Sequence, residues 1–427
     1  MHKFIRSYSL WVVALATLAG VSLGFAKDPD NPSGKKQKHS LYKGAGAPRY
    51  GVLNINNLHS WSRADGQNAH SPASDNGLYY PRFTAWAIYQ DGILYGGKVY
   101  QDAAHTIPGP FNQLIRVGGA HYSTGTVEGR VTGEGPTAVA QNPNDASARM
   151  YRIRRDYATM SAEELRRDAA EVNEIPILEV SDAHMAAVFT QYEKDWNEWA
   201  VSFGAPYIDR NGNGQYDAPP AFSETFTADS LISQGRDEPG VAGSDLNSPA
   251  DQVMWTVYND LNRSITTTLP RVRAEPMGLE FQRTVWGYKR TDALGNLYFT
   301  RVKIINKGGV DVDGAGTKGS FYIDSMYVCQ WSDPDLGGAG DDLIGCDTLL
   351  SIGYVYNGNA IDAEYQKYNI PPPSSGYDFL AGPIVPAPGE VAVFDLKYRD
   401  GYRNLPMTGF SYFSAGSPYS DPPYNYS

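Results

Sequence analysis

The order of hydrophobic and polar positions divides the chain into an apolar start, a strand-rich stretch, a helical middle and a second strand-rich stretch. Leu10–Leu23 (LWVVALATLAGVSL) is an unbroken apolar run behind His2, Lys3 and Arg6, followed by the small-x-small Gly24-Phe25-Ala26. At 14 residues it is shorter than the ~20 that cross a bilayer, so residues 1–26 read as a cleaved secretory signal peptide. Residues 27–50 are polar, locally basic and rich in Pro and Gly, a flexible leader. From Gly51 to about Gly135, aromatic and β-branched runs such as Tyr79-Tyr80, Phe83–Tyr89 and Ile93–Tyr95 are broken by glycine and predict strands. Asp91-Gly92 predicts a hairpin turn between the last two.

Helical signals are confined to the middle. Ser161 and Glu164 form a capping-box pattern, and the LRRDAAEVNE that follows predicts a helix ending before Pro176. Met185, Val188, Phe189, Tyr192 and Trp196 recur at spacings of three and four, which predicts a second helix from about Asp182 to Ala200 with one apolar stripe. After about Pro270 the period returns to two. Tyr298, Thr300, Val302 and Ile304 share one face of a strand, while Phe299, Arg301, Lys303 and Ile305 give the other face its cations. FYIDSMYVCQW, LLSIGYVY and VAVFDL follow at turn-separated intervals. The expected fold is mainly β with a small helical insert. The N-terminal half is β-rich with two helices near 161–200, and the C-terminal half is an antiparallel, fibronectin- or Ig-like β-sandwich. The expected domains are 51–265, carrying the helical insert, and 270–410, the sandwich, with an irregular tail at 411–427 where the chain reads as the front of a longer protein.

Composition narrows the functional classes. The 427 residues carry 36 Lys+Arg against 47 Asp+Glu, a net charge of −11, which disfavours nucleic acid as a partner. Two cysteines are too few for a disulfide-built scaffold or a four-cysteine zinc site. Loss of the basic signal peptide leaves an exported, acidic chain that is secreted or held at the outer cell surface.

Two loops carry the candidate chemistry. In Asp209-Arg210-Asn211-Gly212-Asn213-Gly214-Gln215-Tyr216-Asp217, oxygen side chains occupy positions 1, 3, 5 and 9, and glycine occupies position 6. That matches most of an EF-hand-type loop, in which alternate residues turn inward onto a Ca2+ that takes six to eight oxygens. Gln215 at position 7 would offer its backbone carbonyl. Position 12 is Pro220, so Glu224 or a distant acid would complete the shell. A plain Asn-Gly turn pair is the alternative. The second loop, residues 331–347, holds Asp333, Asp335, Asp341, Asp342 and Asp347 without a Lys or Arg. Held at about 4 Å, each like-charge contact would cost about 4 kcal/mol at an effective dielectric of ~20. The choice is between a second Ca2+ and a splayed, solvated loop. Residues 337–345 also fit, weakly, one unit of a calcium β-roll. Cys329 and Cys346 flank this loop; in an oxidising compartment they could pair and stabilise it by roughly 3 kcal/mol, two buried free thiols being the alternative.

Catalytic motifs are missing: the sequence has no HExxH, GxSxG, GxxxxGK[ST], or GxGxxG behind a strand. A carboxylate pair for glycoside hydrolysis needs only two acids about 5–10 Å apart, so an extracellular polysaccharide hydrolase is the competing reading. Trp86, Trp196, Trp199, Trp255, Trp286 and Trp331 could stack on sugars but more often belong to a core.

Five phrases carry a resemblance: NINNLHSW (54–61), DWNEWAVSFGAPYIDRNGNGQYD (195–217), ADQVMWTVYND (250–260), YFTRVKIINKG (298–308) and WSDPDLGGAGDDLIGCDTLLSIGYVYNGN (331–359). Together they resemble the N-terminal portion of long secreted bacterial proteins that end in a type IX secretion sorting domain. The resemblance implies β-sandwich and fibronectin-like modules and attachment to the cell surface, and it contributes no catalytic residue. No sorting domain is recognisable within this sequence. The expectation is therefore a secreted, calcium-stabilised structural or binding protein whose ligand is extracellular or on a cell surface, a glycan being one candidate.

Overall fold

The computed structural model describes residues 42–43, 47–73, 76–219, 234–243 and 248–413. The signal peptide, most of the leader, Pro220, Glu224 and most of the tail lie outside the described residues. Strands β1 (Tyr50–Leu53), β2 (His59–Arg63), β3 (Leu78–Tyr79), β4 (Trp86–Ile88), β5 (Gln90–Tyr100), β6 (Ile115–Gly119), β7 (Val127–Glu128) and β8 (Tyr151–Arg154) precede helices α1 (Ala162–Asn173) and α2 (Asp182–Asn197). Then come β9 (Tyr207–Ile208), β10 (Glu238–Pro239), β11 (Gln252–Asn259), β12 (Leu279–Gly287), β13 (Phe299–Asn306) and β14 (Tyr322–Asp333). The last strands are β15 (Asp342–Asp347), β16 (Ile352–Asn357), β17 (Ser374–Asp378), β18 (Ile384–Phe394) and β19 (Lys397–Asn404). The protein is mainly β with a small helical part, as its periodicities predict, and these strands pair antiparallel.

The helices start where their caps place them. The Ser161 hydroxyl accepts the Glu164 amide, and the Glu164 carboxylate accepts the Ser161 amide at 3.1 Å. At α2 the cap is Ser181, and the ring of His184 closes the box in place of the usual acid. Val188, Tyr192 and Trp196 of the predicted stripe are buried, with Met185 and Phe189 packed beside them. They meet Val253, Trp255 and Val257 of β11. The opposite face of β11 sends Met254 into a cluster with Leu53, Ile55 and Met150. Trp196, Trp199 and Trp255 are core residues.

The sheet order is β8-β11-β12-β13, with β7 also on β11. Three further sheets run β1-β2-β3-β4, β14-β5-β6 and β15-β16-β17, and β18-β19 form a hairpin. The boundary expected at 265–270 therefore runs through a sheet: β12 pairs with β11 from Gly287 opposite Gln252 to Glu280 opposite Asn259. β14 likewise pairs with β5, from Tyr322 opposite Tyr100 to Asp333 opposite Gln90. Strands of the two expected domains complete each other's sheets.

Two local expectations are overturned. Asp91-Gly92 is not a hairpin turn, because it lies inside β5, where Gly92 faces Trp331 across the ladder. A Cβ there would sit 2.4 Å from the Ala120 carbonyl oxygen, so glycine serves close backbone approach. Cys329 and Cys346 do not pair. Both are free thiols, Cys329 opposite Leu94 in one sheet and Cys346 opposite Gly353 in another. The cations of β13 do find a partner: Arg301 and Lys303 both hold Asp395 at the tip of the β18-β19 hairpin, Lys303 at 2.7 Å. No helix among the described residues is long and apolar enough to cross a membrane.

Candidate functional site

The loop after β9 is organised by its own polar side chains. Asp209 accepts the Gly212 amide at 2.7 Å and the Gly214 amide at 2.8 Å. Asn211 Oδ1 accepts the Asn213 amide at 3.0 Å, and Asn213 Oδ1 accepts the Gln215 amide at 2.7 Å. Both side-chain amides then donate to one atom, Asp217 Oδ2, at 2.7 and 2.9 Å. Gly212 and Gly214 have φ of +71° and +76°, the left-handed turns the loop needs. Positions 1, 3, 5 and 9 are thus gathered; the accepting oxygens of Asp209, Asn211 and Asn213 each take one of these bonds and retain a second lone pair, whereas Asp217 Oδ2 takes two.

The loop rests on a residue that its spacing does not reveal. Asp237, fully buried, accepts the Arg210 amide on one oxygen and the Asp217 amide on the other, each at 2.8 Å. Arg210 also donates to buried Glu238 in β10 at 2.8 Å, so both ends of the loop are fixed to the β9-β10 pair.

The second loop distributes its aspartates. Asp333 accepts the Tyr122 hydroxyl at 2.8 Å. Asp335 supplies its backbone carbonyl to the Gly337 amide at 3.0 Å. Asp347 caps a turn, accepting the Leu349 and Leu350 amides at 2.9 and 3.1 Å. It ends β15, and Asp342 begins it, roughly 16 Å away at the usual rise of a strand. The five carboxylates therefore do not form one cluster. Asp341 and Asp342 stay together, and the chain adds buried Asp362, which accepts the Gly338 amide at 2.9 Å. Burial, then the like charges of Asp341 and Asp362, push Asp342 up to about 6 against its hydrogen bond from the Leu336 amide. Its Oδ1 and both amide atoms of Asn357, its ladder neighbour, are buried without a partner among the described residues.

Among the described residues no group of three or more His, Cys, Asp or Glu side chains is arranged to hold a metal ion. The donors gathered in the 209–217 loop are instead mixed carboxylate and amide oxygens, the set that suits hard, oxygen-seeking Ca2+.

A buried polar network lies elsewhere. Asn54 donates at 2.6 Å to both Asp168 and Glu171 of α1. Arg152 of β8 donates to Asp168 at 2.6 Å and to Asn54 at 2.8 Å. Glu171 also meets His59 at 3.0 Å and Arg82. Burial alone would raise Asp168, but the adjoining Arg152 outweighs it and leaves the carboxyl lowered to about 2. Fully bonded, these groups fasten α1 to β1 and β8.

No family model, curated protein or solved structure matches this chain. The functional reading therefore rests on the loops themselves.

Proposed function

We propose that this is an exported, calcium-stabilised, β-rich protein with a structural or binding role outside the cell or on its surface. The observation that carries the reading is the convergence of Asn211 and Asn213 on the Asp217 carboxylate, with Asp209 holding the loop's glycine amides above buried Asp237. Export is supported by the basic start, the apolar run and the small-x-small site at residues 1–26, and the resemblance to type IX-exported proteins points the same way.

Extracellular calcium modules bind at about 10⁻⁴–10⁻³ M, so calcium at about 5 mM contributes about 1–2 kcal/mol by mass action. Thermal unfolding of the calcium-stripped protein tests this. Adding millimolar calcium should raise the melting temperature by a few degrees, and Asp217→Ala should abolish the rise. An unchanged melting temperature in the parent protein would reject the reading.

A further inference from the structure

Two of the four Asn-Gly pairs in the chain, Asn211-Gly212 and Asn213-Gly214, lie in one exposed loop. Asn-Gly is the dipeptide most open to spontaneous deamidation, because glycine has no Cβ to shield its amide nitrogen. That nitrogen loses its proton and attacks Asn Cγ. The new C–N bond closes a succinimide, and the Cγ–Nδ2 bond breaks to release ammonia, which carries the proton away. Water then opens the ring at either carbonyl and leaves aspartate or isoaspartate. No reactant but water is consumed.

The loop obstructs both moves that this reaction needs. One carboxylate holds both nucleophiles: Asp209 Oδ1 accepts the Gly212 amide at 2.7 Å, and Oδ2 accepts the Gly214 amide at 2.8 Å. Stripping either proton would set a negative nitrogen beside a negative oxygen, which like charges oppose. The asparagine side chains are tied at both ends. Each accepts the amide two residues on and donates to Asp217 Oδ2, so Cγ cannot swing towards the glycine nitrogen without breaking these bonds. The bonds to Oδ1 draw charge off Cγ and alone would favour attack. They join neutral groups, however, whereas the four bonds to Asp209 and Asp217 are charge-assisted and about twice as strong each. Protection prevails.

We propose that Asn211 and Asn213 form a paired deamidation site, kept intact while Asp209 clasps the two glycine amides and converted once that clasp opens. Each conversion replaces a donor to Asp217 with a carboxylate, so an opened loop is altered for good. The clasp is made of protein groups alone. The test is therefore run in excess chelator, and its outcome is independent of the calcium reading. The full chain is incubated at mildly alkaline pH, folded and in urea, and deamidation is followed site by site by peptide mass mapping. Asn357-Gly358, at the end of β16, is the internal monitor of folding, because both side-chain amide atoms of Asn357 are buried.

In the folded parent both loop sites should react at least about tenfold more slowly than in urea. Asp209→Ala should raise both rates by a similar factor while Asn357 keeps its parent rate. Asp209→Asn, which preserves the shape and one acceptor oxygen, should fall between. Equal rates in the folded and urea-unfolded parent would overturn the proposal. Parent rates at Asn211 and Asn213 in Asp209→Ala would also overturn it, because Asp209 would then play no part. If Asn357 accelerates in Asp209→Ala, that variant has unfolded and the isosteric Asp209→Asn decides: faster loop sites support the proposal, and parent rates overturn it.

Discussion

Asp342 is caught between its own burial and two like charges, and the pH dependence of stability reports on it. Its carboxyl titrates near ~3.9 in an unfolded chain and at about 6 in the folded protein. Between those values the unfolded state releases a proton that the folded state keeps, so stability falls as pH rises and stays lower above the window. Without calcium, Asp342→Asn should melt higher than the parent near neutral pH and equally below pH ~4; no difference at neutral pH would contradict the electrostatic account. Gly92 presents a steric counterpart. A methyl group at 2.4 Å from the Ala120 oxygen must displace backbone, so Gly92→Ala should lose about 1–3 kcal/mol in urea unfolding. Its misreading as a turn has the same origin, because Asp-Gly marks hairpins and close backbone contacts alike.

Elements whose signals are local were legible in the sequence. The Ser161 cap, the α2 stripe and the β13 strand each depend on residues within a few positions of one another and are present, although the two faces of β13 are half-buried alike rather than alternating. β11 was not assigned because both its faces are covered and QVMWTVYN shows no alternation. The base of the calcium-type loop was hidden because Asp237 lies 20 residues beyond Asp217 in the chain. The docking of α1 was hidden for another reason: this helix buries Asp168 and Glu171 beside two alanines, so its core face does not look apolar. Arg152→Met would leave Asp168 buried without its cation and should cost about 3–5 kcal/mol at neutral pH. With its folded value lowered to about 2, Asp168 contributes stability that is present above pH ~3.9 and lost as the pH falls from there towards its folded value. Acid titration of the folded fraction should therefore show the parent losing its advantage over Arg152→Met across that window.

At the scale of the whole molecule, β11-β12 and β5-β14 join the two halves through shared sheets. Unfolding of the described region should be a single calorimetric transition, with residues 51–265 and 270–410 unable to fold as separate pieces; two independent transitions would contradict this. The pairing of strands across residues 265–270 was not legible in the sequence, because turn spacing marks strands but does not say which strand each one joins. The proposed calcium site is the 209–217 loop. Isothermal titration of calcium into the stripped protein tests it most directly. Saturable heat with at least one site per chain, lost in Asp209→Ala and Asp217→Ala, is the predicted result, and an absence of binding heat at millimolar calcium would contradict it.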